Sequence, residues 1–395
     1  MRQFFLAIFT LMYFSSCTNN DVTTFEEEEG PAIVNEITVA KGTRVNNVSD
    51  EEKILTDQNR FDKNSILYIS QQGTELAPGF EQSSSTTRCP LYQYQWYENP
   101  DATWAEEYNF RCVQGKSPMD WSEIKRYGNV GNSFILYALY FPQDQEVRFS
   151  VESDQSLLQN FLKSDIMGAY HATSALYTRP RFRLFHLMVY LRVTLYVPVF
   201  DGKTSEDYDD QQYSGFLEGA MKKAVVKKAY TAFDIEWKAN RSSDTDAPLT
   251  QFKKDQQTDI QMFCHESDDH ESDKEPITLE NIKSFYKDSP IDEDQVRKYE
   301  FSVLFPTQTF GDKFLYFELQ APGSQASKYY YFSPSSQIVG ESGNYGLLQG
   351  TLQHLYLYLP RTTNETILVG AKILPWNNAV TDMTVTKDPD LETTN

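Results

Sequence analysis

The sequence predicts an all-β protein with two domains. The chain has 395 residues, with 25 tyrosines and 26 phenylalanines against 18 glycines and 17 prolines, and aromatic residues favour strands. Short aromatic or β-branched runs recur between polar, glycine or proline residues, which is the pattern of strands and turns. About 360 residues remain beyond the N-terminal segments described next, which is long for one hydrophobic core and sufficient for two.

The first seventeen residues predict a lipoprotein signal peptide. Arg2 is followed by a largely apolar run from Phe4 to Phe14, and two serines precede Cys17. The run is too short to cross a bilayer of about 30 Å as a helix, and its flanks are those of a secretory signal. Small residues before a cysteine predict lipid attachment at Cys17, which would anchor the protein stably in a membrane. An ordinary secretory peptide with an incidental cysteine is the alternative.

Residues 18–35 form a predicted acidic tether. The segment is polar, has no apolar periodicity and contains the run Glu26–Glu29, which repels itself and stays extended. Such a tether holds a folded body away from the lipid surface. An acidic stretch soon after a lipidated cysteine also resembles the surface-export signals of Bacteroidetes lipoproteins, and a solvated linker explains the charges equally well.

The charge balance excludes one class of partner. The chain carries 56 acidic and 36 basic residues, for a formal net charge of −20. There is no excess of lysine and arginine to displace counterions from a phosphate backbone, so nucleic acid is not expected as a partner. The same charge opposes peripheral docking on anionic lipid, and membrane attachment would therefore depend on the acyl anchor.

Three cysteines remain after Cys17, an odd number for an oxidising compartment. Cys89 and Cys112 lie 23 residues apart and flank an aromatic segment, which makes them the candidate disulfide. Closing a loop of that size would add about 3 kcal/mol on the chain-entropy model. Cys264 would then be a buried thiol.

The N-terminal domain, predicted over residues 36–202, contains four strand-like runs. Three are short, at Ser65–Ser70, Phe134–Phe141 and Val147–Val151. The fourth, Arg181–Val197, is nearly continuous and apolar, which suits a central strand covered on both faces. A short helix is predicted at Ser156–Leu162.

The C-terminal domain, predicted over residues 203–390, follows an Asp-, Glu- and Gly-rich stretch at 201–212, which is typical of a domain boundary. Ala229–Trp237 alternates as a strand does, and a second short helix is predicted at Leu279–Tyr286. Short strands at intervals of about ten to fifteen residues indicate an antiparallel sandwich. They are predicted at Phe301–Phe305, Phe314–Leu319, Tyr329–Phe332, Leu355–Leu359 and Thr366–Val369.

A series of short segments, taken in order, resembles the Bacteroidetes fimbrillin-like proteins of the Mfa-like group. Each segment is weakly specific by itself, but together they extend over nearly all of the mature chain. After the lipoprotein signal they are Gly42–Arg44, Tyr137–Pro142, Asp154–Ser156, Ser164–Met167, His186–Met188 and Ile373–Asn377.

This resemblance implies two tandem transthyretin-like antiparallel β-sandwich domains and a structural or accessory subunit of a type V-like pilus. It implies an outer-membrane, cell-surface protein of the fimbrium, lipid-anchored at least as a precursor, that mediates adhesion. Other pilus subunits, the lipid of the outer membrane and a host or bacterial receptor or glycan would be its partners. In that family an arginine-specific protease can remove an N-terminal segment, and the groove left behind accepts a strand of the next subunit.

Two arginines are candidate processing sites. Arg44 follows the candidate strand Ala32–Val39, and Arg60 follows the polar segment Asn46–Asn59. An arginine in an exposed loop is more often a solvated charge, and a tip or anchor subunit needs no cleavage. At the other end, Thr381–Thr386 alternates and would either complete its own domain or be donated.

No catalytic constellation is recognisable, and neither an enzyme nor a cofactor is expected. None of the five histidines lies in a nucleophile elbow, a zinc-binding helix or a phosphate loop. His186 and His354 fall in apolar strands and are predicted to be hydrogen-bonded core residues. The cluster Cys264–Asp273 matches neither zinc nor calcium spacing, so an exposed acidic loop is preferred and no metal is predicted. Paired carboxylates for glycoside hydrolysis leave no sequence spacing, and composition does not support them.

The alternative function is a surface lipoprotein that binds glycans. Trp96, Trp104 and Trp121 lie in a loop-rich segment, and exposed aromatic rings stack on the apolar faces of sugars. Capping of the first sandwich is the competing interpretation of the same three residues.

Overall fold

The computed structural model describes fifteen segments of the chain, which are almost entirely β-strand with one short helix. The all-β prediction is confirmed. The described residues are 33–41, 65–71, 91–97, 107–124, 134–142, 146–173, 180–198, 221–237, 248–254, 257–265, 296–320, 327–334, 345–359, 363–375 and 383–386.

The first part of the chain contains β1 (Ile33–Val34), β2 (Glu36–Lys41), β3 (Ile66–Gln71), β4 (Leu91–Trp96), β5 (Glu107–Cys112), β6 (Met119–Asp120), β7 (Phe134–Phe141), α1 (Leu158–Lys163), β8 (Met167–Thr173) and β9 (Arg181–His186). The second part contains β10 (Val189–Pro198), β11 (Met221–Tyr230), β12 (Phe233–Glu236), β13 (Leu249–Phe252), β14 (Gln257–Gln261), β15 (Phe263–His265), β16 (Val296–Phe305), β17 (Gln308–Phe310), β18 (Leu315–Gln320), β19 (Ser327–Phe332), β20 (Tyr345–Leu347), β21 (Thr351–Tyr358), β22 (Ile367–Pro375) and β23 (Met383–Thr386).

Seven strands of the first part close into a barrel in the order β2-β5-β4-β3-β7-β8-β9. Successive side chains of a strand point to opposite faces, and in β3 both faces are buried. Leu67 and Ile69 lie in the barrel core, whereas Ile66 and Tyr68 pack outside it against the second part of the chain. This double burial explains why β3 and β7 have continuous apolar sequences. The transthyretin-like arrangement implied by the resemblance stays a prediction.

Two sheets of the second part pack face to face. The larger has the order β15-β16-β10-β21-β22-β23, and the smaller has the order β14-β11-β18-β19. Phe301 of β16 meets Phe317 of β18 with ring centroids 5.9 Å apart, inside one core shared by both sheets. Most neighbouring strands are antiparallel, but β10 runs parallel to β21 and, in the barrel, β2 runs parallel to β9.

The apolar run Arg181–Val197 is two strands, and the prediction of one central strand of the first domain is wrong. β9 belongs to the barrel, whereas β10 lies inside the six-stranded sheet. Leu187 and Met188 join them and are fully buried, so no polar turn marks the break. The domain limits 36–202 and 203–390 stay a prediction; β10 precedes residue 203 and pairs with two strands that follow it.

The junction between β9 and β10 is hydrogen-bonded on both sides. Leu187 N donates to Ile166 O at 2.9 Å, and Thr250 Oγ1 donates to Leu187 O at 3.0 Å. Gly350 N donates to Met188 O at 3.0 Å. A Cβ at Gly168 of β8 would lie 3.0 Å from Leu187 Cδ1, so glycine allows this close approach without displacing the leucine side chain.

Other predicted elements agree in part. The helix predicted at Ser156–Leu162 is present as α1, whereas Leu279–Tyr286 and 201–212 lie outside the described residues. Val147–Val151 does not form a strand; its only ladder contact in the described residues is an isolated bridge from Ser150 to Ala232. Ala229–Trp237 is divided between the end of β11 and β12. At the C-terminal end, β23 pairs antiparallel with β22 and completes its own sheet.

Candidate functional site

The candidate site is β2, the strand that closes the barrel. It pairs antiparallel with β5 over five residues and parallel with β9 over four. Ile37 is fully buried near the start of β2, opposite Phe110 of β5. The strand is therefore bonded along both edges and also contributes to the core.

A buried tyrosine fixes the entry to this strand. Tyr94 Oη donates to Val34 O at 2.6 Å and accepts from Met119 N at 3.1 Å. The same hydroxyl thus joins β1 to β6 and to the barrel wall. Burial raises the pKa of Tyr94, opposed by the hydrogen bond from Met119, so the hydroxyl stays protonated and able to donate. Cys112 N also donates to Asn35 O at 2.9 Å.

At the solvent side β2 is held by an ion pair. Arg111 Nε lies 2.8 Å from Glu36 Oε1, and the guanidinium carbon of Arg111 lies 3.7 Å from the centroid of the Tyr97 ring. The hydrogen bond to Glu36 raises the pKa of Arg111. Exposed pairs of this kind contribute little stability, so the buried face of β2 provides most of its attachment.

Loss of β2 would leave two unpaired strand edges and an apolar slot. The edges would be those of β5 and β9, and the slot would expose the side of the core now filled by Val34 and Ile37. Unpaired edges next to an apolar slot favour addition of a strand from another chain. The arrangement is therefore suited to strand exchange and needs no catalytic group.

Most residues predicted from the sequence to form sites lie outside the described residues. These are Cys17, Arg44, Arg60, Cys89 and Trp104. Cys112 lies in β5, where burial raises the pKa of its thiol and Sγ lies 3.4 Å from Lys116 O. The disulfide between Cys89 and Cys112 stays a prediction.

The two histidines predicted to be core residues are confirmed. His186 is buried, and its Nδ1 lies 2.6 Å from Asp165 Oδ1. His354 is buried in β21, and its Nε2 lies 2.7 Å from Thr194 Oγ1. Both are polar anchors within apolar strands.

Two expectations about exposure are wrong. Trp121 is only 1% exposed and belongs to the barrel core, because it follows β6 into the space beneath β1 and β2. Trp96 is half-buried against the same core, so Trp121 and Trp96 do not form an exposed aromatic platform. Cys264 was expected to be buried but is exposed on the edge strand β15.

The sequence did not reveal a polar cluster on the six-stranded sheet. Arg192 of β10 pairs with Glu300 of β16, and Lys298 Nζ lies 3.1 Å from the other oxygen of that carboxylate. His265 Nε2 of β15 lies 2.6 Å from Ser302 Oγ. Arg192 and Glu300 each lie within a run that otherwise has the sequence of a strand. They come together only through the register between β10 and β16, which the sequence does not show.

The electrostatics of this cluster are those of a structural ion pair. Burial raises the pKa of Glu300, but Arg192 and Lys298 outweigh it and lower the pKa to about 2. Burial and then Arg192 lower the pKa of His265 to about 4, against the opposing effect of Glu300. Glu300 is therefore ionised and His265 neutral near neutral pH.

Within the described residues, no group of three or more histidine, cysteine or acidic side chains is placed to hold a metal ion. Only Cys264 and His265 of the acidic cluster Cys264–Asp273 lie among those residues. The described part of the chain also contains no helix with the length and hydrophobicity needed to cross a membrane.

The chain is similar in fold to several solved structures. A protein described as a "putative cell adhesion protein" from Bacteroides uniformis has 12% identity and a TM-score of 0.43, covering 87% of this chain and 98% of that one. The tip fimbrial protein Mfa3 of Porphyromonas gingivalis has 6% identity and a TM-score of 0.33, covering 86% and 98%. The fimbrial anchor protein Mfa2 of the same organism has 7% identity and a TM-score of 0.32, covering 86% and 97%.

These are fimbrial and cell adhesion proteins of Bacteroidetes. They agree with the resemblance of the sequence to the Mfa-like group of Bacteroidetes fimbrillin-like proteins. No family model and no curated protein matches the sequence.

Proposed function

We propose that this chain is a non-enzymatic structural or accessory subunit of a type V-like pilus, assembled by strand exchange and used in adhesion. The observation that supports the proposal is the position of β2. It closes the barrel between β5 and β9, and it comes from the first segment of the chain that the structure describes.

Both candidate processing sites lie where cleavage would free this strand. Residues 42–64 connect β2 to β3, and Arg44 and Arg60 fall within them. A cut at either arginine would leave β1 and β2 held by non-covalent contacts: their strand pairing, the Tyr94 bridge, the Glu36–Arg111 ion pair and burial of Val34 and Ile37. A strand from a second copy can replace each of these contacts, because backbone pairing is not specific to sequence.

The proposal includes a lipid-anchored precursor at the cell surface. Lipidation of Cys17 would hold the precursor in the outer membrane, and a cut after Arg44 or Arg60 would remove the anchor and β2 together. A subunit that keeps Cys17 would instead be an anchor. Intact-mass analysis of the protein from its native cell surface distinguishes these forms by their N-terminal residue and acyl mass.

Digestion of the purified precursor with an arginine-specific protease tests the mechanism. We expect one shortened product that begins after Arg44 or Arg60, followed by SDS-resistant oligomers of that product. The matched control is the Arg44→Lys/Arg60→Lys variant, which keeps both charges but is not a substrate. Absence of a discrete product, or a shortened product that remains monomeric, would contradict the proposal.

A further inference from the structure

Two lysines occupy an unusual backbone conformation. Lys228 has φ of 53° and Lys313 has φ of 57°, and they are the only residues other than glycine with positive φ in the described part of the chain. Lysine is not favoured in this left-handed region. Lys228 lies at an irregularity in the pairing of β11, and Lys313 lies in the turn before β18.

Lys228 lies near the end of β11 and Lys313 just before the start of β18, and these are the two inner strands of the four-stranded sheet. Lys227 N donates to Phe314 O at 2.6 Å, which places the irregularity in β11 beside the turn that holds Lys313. The two positions are 85 residues apart in sequence and yet adjacent in space. Strained backbone conformations of this kind cluster at functional sites, and here two of them lie side by side.

Tyrosine rings lie next to these lysines. Tyr316 and Tyr331 are paired across β18 and β19, with ring centroids 6.2 Å apart. Lys313 Nζ lies 4.4 Å from the Tyr331 centroid, and Lys227 Nζ lies 5.6 Å from the Tyr316 centroid. We call Lys227, Lys228, Lys313, Tyr316 and Tyr331 the tyrosine–lysine patch.

The charge of this patch is opposite to that of the whole chain. Lys227 pairs with Asp259 at 2.7 Å, but the exposed side chains of Lys228 and Lys313 have no carboxylate partner among the described residues. This is notable in a chain with a net charge of −20. Asp259 also accepts from Lys228 N at 3.3 Å, and the exposed Asp312 precedes Lys313, so the three lysines and these two carboxylates leave a local charge of +1. Solvent screens exposed charges beyond about 8 Å at physiological ionic strength, so more distant acidic residues do not cancel it.

We propose that the tyrosine–lysine patch binds an anionic polysaccharide, one that carries sulfate or carboxylate groups. The ammonium groups of Lys228 and Lys313 would bind the anions, and the tyrosine rings would contact the apolar faces of the sugars. The patch lies on the face of a sheet, where β18 is paired with β11 and β19. The outer edge of β19 is occupied at Tyr331, whose N donates to Asn364 O at 2.9 Å and whose O accepts from Thr366 N at 2.8 Å. A peptide therefore has no free strand edge here to pair with, which favours a ligand recognised by charge and by aromatic rings.

This site is independent of strand exchange, because it lies in the four-stranded sheet and contains no residue of β1 or β2. It also differs from the tryptophan platform expected from the sequence. Failure of this proposal would leave the pilus proposal unchanged, and the reverse also holds.

Binding of purified full-length protein to dextran sulfate, polygalacturonate and neutral dextran tests the proposal. We expect salt-dependent binding to the two anionic polymers and none to dextran. In the variant Lys228→Gly/Lys313→Gly, Kd for the anionic polymers should rise roughly tenfold, which corresponds to loss of two exposed ionic contacts. Glycine suits positive φ, so the variant removes both charges without disturbing the fold.

Two controls separate this site from general electrostatics. Lys116→Gln removes one exposed charge from the barrel hairpin and should leave Kd within about twofold. Tyr331→Leu keeps both lysines and should raise Kd, because it removes one of the rings that contact the sugars; an unchanged Kd would contradict that contact. No binding of the unmodified protein to either anionic polymer, or equal binding by the double glycine variant, would overturn the proposal. Lysine-dependent binding of a peptide of residues 22–30 without binding of either polymer would also overturn it, in favour of an acidic protein segment.

Discussion

Truncation of Ile37 to alanine tests how firmly β2 is held in the barrel. The side chain of Ile37 is 0% exposed, and the substitution removes three carbon atoms. At about 0.8 kcal/mol for each buried carbon, with a further term for the cavity, we expect the free energy of unfolding to fall by about 3–4 kcal/mol. Ile33 in β1 is 46% exposed, so Ile33→Ala should cost less than about 1 kcal/mol.

Urea unfolding followed by tryptophan fluorescence measures both changes, because Trp121 lies in the same barrel core as Ile37. The slope of the transition should be the same in all three proteins, so that a shift in midpoint reports stability alone. Equal losses for the two variants, or a loss below about 1 kcal/mol for Ile37→Ala, would refute the conclusion that core burial holds β2.

Three further predictions concern other parts of the molecule. Tyr94→Phe leaves two buried backbone groups without their shared partner and should lower the free energy of unfolding by about 2–4 kcal/mol in the same urea assay; a loss below 1 kcal/mol would contradict the bridge. Lys228→Gly and Lys313→Gly should each raise the melting temperature, because each relieves about 1 kcal/mol of backbone strain; a decrease for both would show that their conformation is not strained. The pKa values of His265 and Glu300 are lowered in the folded chain, so the unfolded chain binds protons first as the pH falls. Stability is therefore lost on acidification, between pH 6.5 and about 4 for His265 and between pH 4.5 and about 2 for Glu300. When the urea midpoint is measured against pH, His265→Gln should reduce its fall between pH 6.5 and about 4, and Glu300→Gln its fall between pH 4.5 and about 2. Unchanged pH profiles would contradict the lowered pKa values of these two residues.

The sequence was a good guide where a residue that cannot continue a strand marks its end. Phe134–Phe141 was predicted with the bounds that the structure gives, because Pro142 ends an apolar run. It was a poor guide at Arg181–Val197, where the barrel and the six-stranded sheet meet. Leu187 and Met188 are buried between them, so the chain changes sheets without the polar or glycine residues that normally mark a turn.

The candidate site was predictable in part. A strand preceding Arg44 was predicted from the sequence, but its closure of a barrel depends on pairing with β9, which is more than 140 residues further along the chain. No local pattern contains that information. The tyrosine–lysine patch was missed because lysine is not a residue that signals positive φ, and the two turns become neighbours only through tertiary pairing.

The buried junction at Leu187 and Met188 has a mechanical consequence. In the pilus proposed above, a subunit would carry tension along its backbone, and only Leu187 and Met188 separate β9 from β10. A pull on the barrel passes directly into β10, which is paired with β16 over ten residues and with β21 over seven. Such a load would act on all of these hydrogen bonds together instead of breaking them one by one. The sheet that contains β10 would therefore resist extension of the chain at its junction with the barrel.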